Sequence, residues 1–168
     1  HEFLYPVLQG YDSYKLASDI TINGTDQKFN ELMGREIQQL HGQSPQAIMC
    51  MPMLPGTDGV EKMSQSLGNY IGLAEAPEDQ FGKIMSIPDA VMPDYFTLCT
   101  RLRPSEITAI VAELGPMDAK MRLGREIVAQ YHSAEAAEAA QQRFIDVHRK
   151  REVPEDVREP IDWHRELN

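Results

Sequence analysis

The sequence predicts an α/β fold in which part of a parallel sheet is followed by helices alone. Two short strand patterns, Asp19 to Ile22 and Ala47 to Leu54, are separated by one helical pattern. Strands joined through a helix run parallel. Beyond the second strand pattern, helical patterns follow one another without a further strand. We therefore expect a sheet-containing domain over residues 1–72, a helical domain over 73–153 and a linker or tail over 154–168.

Composition favours a globular chain and argues against several classes of protein. The 168 residues, 42% of them hydrophobic, suffice for one compact domain or a small domain with a helical appendage. The formal net charge of -10 argues against a protein whose whole surface binds nucleic acid, because such contacts depend on lysine and arginine. Since we find neither a run of about 18 apolar residues nor a cleavable signal pattern, we expect a cytoplasmic protein without membrane contact.

Potential metal ligands are scattered along the chain. Cys50 and Cys99 lie in different apolar settings without a C-x-x-C spacing, which favours free thiols over a disulfide or a metal pair. The five histidines are equally dispersed, and we predict no metal site. One basic cluster, from Arg143 to Arg151, ends a predicted helix. It is either a local contact for nucleic acid or a solvated helix end, where cations also favour the helix dipole.

A polar stripe runs along the first predicted helix, within residues 1–18. Apolar residues at helical spacing predict this helix, with Pro6 in its first turn. Tyr5, Gln9 and Asp12 follow one another at i, i+4 and i+7, so a phenol, an amide and a carboxylate point in one direction. The stripe either lines a polar pocket or forms an exposed face. An exposed face usually has lysine and glutamate, so this composition favours the pocket.

A polar turn follows the first strand pattern directly. Residues 23–27, N-G-T-D-Q, lead into the second helical pattern, and we expect Thr25 or Asp26 to cap that helix. In α/β proteins such a turn holds nucleotides or, more simply, caps the helix. Asp26 can accept hydrogen bonds from ribose hydroxyls, and Gln27 can donate to a carboxylate or carbonyl. The apolar positions predicted to face the core from this helix are Phe29, Leu32, Met33, Ile37 and Leu40.

A second polar loop, Gly59 to Asn69, follows the apolar run that predicts a strand buried on both faces. Lys62, Ser64 and Ser66 give this loop a mobile cation and small hydroxyls, which can follow a phosphate whose charge shifts during a reaction. For the K-x-S-x-S pattern alone, an ordinary surface loop is the alternative. Because ligands bind beyond the carboxyl ends of parallel strands, we expect both polar turns at the same rim of the sheet.

Five helices are predicted beyond this loop. The clearest one begins at Pro104-Ser105 and ends at Gly115-Pro116. The last helix is alanine-rich, which favours close packing. The predicted ranges are Pro77 to Met85, Asp94 to Leu102, Pro104 to Leu114, Met117 to Tyr131 and Ala134 to Lys150.

Three motifs follow one another along the chain: L-Y-P-V-L-Q-G-Y-D, N-G-T-D-Q and E-K-M-S-Q-S-L-G-N-Y-I. Together they resemble the bacterial tyrosyl-tRNA synthetases of class I. The resemblance implies the second half of a Rossmann-like nucleotide-binding domain followed by an all-α helical domain. It also implies tyrosine-tRNA ligase activity, which is ATP-dependent activation of tyrosine to tyrosyl-adenylate and transfer to tRNA(Tyr).

The resemblance further implies roles in binding tyrosine. Tyr5 and Gln9 would hold the α-amino group of the substrate, and Asp12 would meet its hydroxyl group. Gln27 would lie near the substrate carboxylate. A site built to bond the phenol rejects phenylalanine, because the buried carboxylate would then be unpaired.

Roles in binding ATP follow from the same resemblance. Gly24 would allow close approach of the nucleotide, Asp26 would bind ribose, and Lys62 with Met63 would contact ATP, which Mg²⁺ accompanies. The further partners implied are tRNA(Tyr) and a second copy of the whole protein in a homodimer. The residues implied to stabilise the departing pyrophosphate are Lys62, Ser64 and Ser66.

The chain departs from the family pattern at three points. Asn23 stands where the family usually has the first glycine of a pair, and Gln65 stands where it has a second lysine. The family's H-I-G-H type motif and the first half of the nucleotide fold would lie before His1. We therefore expect the 168-residue chain alone to be inactive and to be a piece of a longer protein.

Two alternatives stay open at this point. A non-catalytic, synthetase-like fragment that binds RNA or protein is supported by Gln65 and by the missing H-I-G-H type motif. A tryptophan-tRNA ligase would share the G-x-D-Q turn and the lysine-serine loop. Gln9 and Asp12 argue against that second alternative.

Overall fold

The computed structural model describes residues 2–149, which divide into two compact units. The first unit ends at Met53 and the second begins at Leu54. The lysine-serine loop thus packs with the helices of the second unit, and the predicted functional boundary at residue 72 stays a prediction. The predicted tail, residues 154–168, lies outside the described residues, as do Lys150 and Arg151 of the basic cluster.

The first unit is a strand-helix-strand arrangement with a helix before it. Its strands pair in parallel, with Ile20 opposite Ala47 and Gly24 opposite Met51. This pairing confirms the α/β prediction, and Pro6 lies in the first turn of its helix as predicted. The elements are α1 (Tyr5–Leu16), β1 (Ile20–Gly24), a 3-10 turn (Thr25–Gln27), α2 (Lys28–Leu40) and β2 (Ala47–Met51).

The contact between α1 and α2 is close and polar. A Cβ atom added to Gly10 would lie 3.0 Å from the backbone nitrogen of Gly34, so only glycine allows this approach. The buried residues of α2 are Glu31, Gly34 and Gln38. The predicted apolar core stripe of α2 is therefore wrong at three positions, since 65% of Phe29, 45% of Leu32 and 84% of Leu40 is exposed. Helical spacing predicted an apolar face but not which face a neighbouring helix covers.

Two further predictions about the first unit are wrong. Strand β2 is not buried on both faces in the described chain, because Met49 is 53% exposed and Met51 is 43% exposed. Neither Thr25 nor Asp26 caps α2. Both lie in the 3-10 turn, where the Thr25 carbonyl oxygen accepts the Lys28 amide and takes the place of a side-chain cap.

Five helices follow in the described part of the second unit, close to their predicted bounds. Their main core contains Ile84, Tyr95, Phe96 and Leu123. A second cluster joins Phe81 to residues of the alanine-rich helix, which confirms the predicted close packing. The helices are α3 (Pro77–Ser86), α4 (Met92–Cys99), α5 (Pro104–Glu113), α6 (Pro116–Tyr131) and α7 (Ala134–Arg149).

Within residues 2–149, none of the helices is both long enough and apolar enough to cross a membrane. Both cysteines are free thiols. Burial raises the pKa of Cys99 to about 11, so this thiol stays protonated and unreactive near neutral pH.

Two helical glycines give opposite predictions for stability. A Cβ atom on Gly124 of α6 would lie 2.7 Å from the fully buried ring of Phe81. We expect Gly124→Ala to lower the free energy of unfolding by about 1–3 kcal/mol through overpacking. Gly82 of α3 has open space around it, so Gly82→Ala should raise that free energy by about 0.5–1 kcal/mol. Urea unfolding measures both changes, and equal effects would contradict the packing described for Gly124.

Candidate functional site

Polar side chains of the first unit form a continuous hydrogen-bonded group, which we call the amide cluster. It joins α1, β1, α2 and the segment before β2. Two of its members, Gln9 and Gln27, are predicted tyrosine-binding residues. The members of the amide cluster are Gln9, Asn23, Gln27, Asn30, Glu31 and Gln46.

Glu31 is the centre of the amide cluster and is 2% exposed. Its Oε1 atom accepts Gln9 Nε2 at 2.6 Å and also accepts Asn23 Nδ2. Its Oε2 atom accepts Gln46 Nε2 at 2.8 Å. Three amide groups from different parts of the chain thus compensate a buried carboxylate that would otherwise be costly.

Asn30 connects the two predicted tyrosine-binding glutamines. Its Nδ2 atom donates to Gln9 Oε1 at 3.0 Å and to Gln27 Oε1 at 3.0 Å. At the far end, Gln27 Nε2 donates to Asp26 Oδ2 at 3.2 Å. The structure thus brings Gln9 and Gln27 together through a residue that the sequence analysis did not single out.

The other predicted residues of the first unit lie apart from the amide cluster. Tyr5 and Asp12 are exposed on α1, and neither hydrogen-bonds to the cluster among the described residues. A Cβ atom added to Gly24 would lie 2.6 Å from Asp26 Oδ1 and 2.7 Å from Met53 Sδ, so these two side chains would have to move to admit one. Side chains of this unit thus pack closely over Gly24, and nucleotide contact there stays a prediction.

In the second unit, short backbone contacts hold the lysine-serine loop at its base. Pro55 and Lys62 form an antiparallel bridge, and the Met63 amide donates to the Leu54 carbonyl at 3.1 Å. The Met63 side chain packs on the helical core. Its predicted contact with ATP stays a prediction.

Asn69, which is buried, and Asp58, which is exposed, organise the backbone of this loop. Asn69, 7% exposed, accepts the Ser64 amide at 2.8 Å and donates to the Lys62 carbonyl and to Asp58. Asp58 accepts the Val60 and Glu61 amides, each at 2.8 Å.

The hydrogen bonds to Asp58, from the Val60 amide, the Asn69 side chain and the Glu61 amide in that order of effect, lower the pKa of its carboxyl group below 3.8. A lowered folded-state pKa means that the loop gains stability from Asp58 above pH 3.8 and loses it as the pH falls through the lowered value. The loop therefore keeps this contribution in full at neutral pH.

The hydrogen bonds of Asp58 and Asn69, which we call the loop template, fix the backbone that holds the predicted catalytic side chains. Lys62 and Ser66 are exposed and Ser64 is half-buried. The Oγ atoms of Ser64 and Ser66 lie 2.7 Å apart, so the two hydroxyls form one polar pair. Gln65, where the resemblance expects a second lysine, is exposed between them. The arrangement offers one lysine and two hydroxyls on a loop with a fixed base.

Four residues with organising roles were missed in the sequence. Glu31 had a detectable signal, because it forms a polar stripe with Gly34 and Gln38 at i, i+3 and i+7 within a helix predicted from its apolar residues. The others had no such stripe, and Asn30 and Asn69 also have partners 21 and 11 residues away, Gln9 and Asp58. These missed residues are Asn30, Glu31, Asp58 and Asn69.

Comparison with known proteins settles the family. The family model described as tRNA synthetases class I (W and Y) matches residues 1–149. The chain belongs to this family. No group of three His, Cys, Asp or Glu side chains that could hold a metal ion occurs among the described residues of this class I synthetase chain.

Relatives of this class I chain include tyrosine-tRNA ligases at high identity. The ligase of Moorella thermoacetica is 53% identical over 164 residues, and that of Bordetella pertussis is 54% identical over 163 residues. Each match covers 95% of this chain but 40% of the relative. The chain thus spans well under half the length of these relatives.

Solved structures of tyrosyl-tRNA synthetases share the fold of this class I chain. The mitochondrial enzyme of Coccidioides posadasii matches with a TM-score of 0.65 and 20% identity, over 84% of this chain and 44% of that one. The enzyme of Archaeoglobus fulgidus, solved with L-tyrosine, matches with a TM-score of 0.61 and 24% identity, over 82% of this chain and 51% of that one. These matches confirm the prediction of a Rossmann-like fragment followed by helices.

The loop template gives a testable prediction. Asn69→Ala removes the acceptor of the Ser64 amide and a donor to Asp58. Each hydrogen bond contributes about 0.5–1.5 kcal/mol. We therefore expect the Ser64 amide to exchange with solvent about three- to tenfold faster in hydrogen exchange measured by NMR or mass spectrometry. Leu67→Ala is the matched control, because Leu67 lies in the same loop and is 59% exposed. Equal exchange in both variants would contradict the template.

Proposed function

We propose that the whole protein to which this chain belongs is a tyrosine-tRNA ligase, which activates tyrosine with ATP and transfers it to tRNA(Tyr). The observation that supports this most directly is the hydrogen-bond chain from Gln9 through Asn30 to Gln27. It joins the two glutamines that the family resemblance places at opposite ends of the amino acid backbone of tyrosine. Sequence identity of 53% to a tyrosine-tRNA ligase supports the same proposal.

In this proposal the first unit binds tyrosine. The Gln9 carbonyl oxygen and the Tyr5 hydroxyl accept hydrogen bonds from the substrate ammonium group, and Gln27 lies near the substrate carboxylate. Asp12 accepts the hydrogen bond of the substrate phenol. Such a site discriminates by chemistry, because phenylalanine would leave the Asp12 carboxylate without its donor.

The second unit, in this proposal, acts on ATP. Activation forms a bond between the tyrosine carboxylate oxygen and the α-phosphorus of ATP and breaks the bond from that phosphorus to pyrophosphate. Lys62, Ser64 and Ser66 stabilise the negative charge that builds up on the departing pyrophosphate. Gly24 and Asp26, which belong to the first unit, also bind the nucleotide in this proposal. Met63 contacts it from the second unit, and the Mg²⁺ ion enters with ATP. Alignment of the two substrates supplies much of the rate enhancement, without a covalent enzyme intermediate.

We also propose a cytoplasmic location and a homodimer for the whole protein. Both rest on the family resemblance. Gln65 is a neutral residue where the resemblance expects a lysine, so Lys62 supplies the charge on the loop by itself in this proposal.

Asp12 tests the proposed function. The whole wild-type protein should catalyse tyrosine-dependent exchange between ATP and pyrophosphate, and tryptophan should not support the exchange. We expect Asp12→Ala to lower kcat/KM for tyrosine about ten- to a hundredfold, the effect of losing a hydrogen bond of about 1.5–3 kcal/mol to a charged group. The value of kcat/KM for phenylalanine should fall much less.

Glu36→Ala is the control, since Glu36 is an exposed carboxylate of α2. This variant should leave kcat/KM for tyrosine and for phenylalanine unchanged. An equal loss for tyrosine and phenylalanine in folded Asp12→Ala would make Asp12 a structural residue. Wild-type exchange with tryptophan in place of tyrosine would refute the proposed function itself.

A further inference from the structure

The chemistry of Glu31 determines how the Gln9 amide is oriented. A carboxylate only accepts hydrogen bonds, so the group that faces it must donate. Gln9 therefore turns its NH₂ group toward Glu31, at 2.6 Å. Its carbonyl oxygen consequently points away from Glu31, where it accepts Asn30 Nδ2 at 3.0 Å.

A second carboxylate fixes the other end of the same chain of amides. Gln27 donates its NH₂ group to Asp26, and its carbonyl oxygen accepts Asn30. Asn30 therefore gives both of its amide hydrogens to carbonyl oxygens. With a carboxylate at each end, the donors and acceptors of all three amides are assigned without ambiguity.

The orientation of Gln9 matters for its proposed ligand. An ammonium group has only donors, so it needs an acceptor oxygen. A carbonyl oxygen has two lone pairs, and Asn30 uses one of them. The other is available to a substrate ammonium group only while the Gln9 NH₂ group stays on Glu31.

We propose that Glu31 is a positioning residue of the amino acid site, which holds the Gln9 amide so that its carbonyl oxygen accepts the substrate ammonium group. This inference rests on the proposed function and deepens it. Glu31 acts through Gln9 and does not touch the substrate. Asn23 shares Glu31 Oε1 with Gln9, so the departure from the family's glycine at residue 23 supplies a further donor to the same carboxylate.

The test compares two ligands that differ at the ammonium group. Tyrosine has this group, and 3-(4-hydroxyphenyl)propionate has hydrogen in its place. Calorimetric titration of the whole protein gives both dissociation constants. The main variant combines Glu31→Leu with Asn23→Gly, which removes the carboxylate together with one of its donors. We expect tyrosine affinity to fall about tenfold, the effect of one hydrogen bond to a charged group, and the propionate affinity to change little.

Two further variants separate positioning from a structural role. If Glu31 acts through Gln9, the two effects are coupled. The double replacement should then cause no further loss of tyrosine affinity in a Gln9→Leu background. Glu36→Gln, an exposed change on the same helix, should leave both affinities unchanged. If the main variant fails to fold, Glu31→Gln is used instead. It keeps the volume and one acceptor, so a smaller loss in the same direction is expected.

The outcomes are distinct. Selective loss of tyrosine affinity, absent in the Gln9→Leu background, supports the proposal. Equal loss for both ligands, no loss in a folded variant, or full additivity with Gln9→Leu overturns it. A wild-type protein that binds neither ligand would instead refute the proposed tyrosine-tRNA ligase function, whatever the variants do.

Discussion

The buried carboxylate of Glu31 is the interaction on which the first unit depends. A carboxylate that is 2% exposed destabilises a fold unless donors compensate it. Its donors come from α1, from β1 and from Gln46 just before β2. Thr21 in turn donates to Gln46 at 2.7 Å, which extends the network along β1. One charged group therefore specifies how two helices and two parallel strands pack, which apolar contacts alone would specify less strictly.

In the second unit, side chains also satisfy the backbone. The exposed Asp58 carboxylate and the buried Asn69 amide hydrogen-bond to backbone amides of the lysine-serine loop. There is no room for a side chain at Gly56, since an added Cβ atom would lie 2.2 Å from Asn69 Nδ2. The loop backbone is thereby fixed at its base, while the Lys62 side chain remains exposed. In the proposed reaction, the loop backbone stays in place while the exposed Lys62 side chain moves with the departing pyrophosphate and stabilises its charge.

Local patterns predicted the elements, because helical and strand periodicities depend on near neighbours in the sequence. The parallel pair β1 and β2 and the five later helices confirm those predictions. The buried face of α2 was predicted wrongly, because the close approach of Gly10 and Gly34 on two helices buries a polar stripe in place of the apolar one. The polar stripe that contains Glu31 was visible in the sequence, but its partners Gln9 and Gln46 lie 22 and 15 residues away and could not be identified from a local pattern. Of the candidate site, motifs gave Gln9 and Gln27 but not the residue that links them.

The most direct test is a crystal structure of the whole protein with bound tyrosine. The quantity to measure is the distance from the substrate ammonium nitrogen to Gln9 Oε1, with Glu31 and Asn30 defining which Gln9 atom is oxygen. We predict a distance of about 2.7–3.2 Å, with Gln9 Nε2 still on Glu31. Tyrosine bound away from Gln9, or a Gln9 amide turned so that its NH₂ group leaves Glu31, would contradict this account.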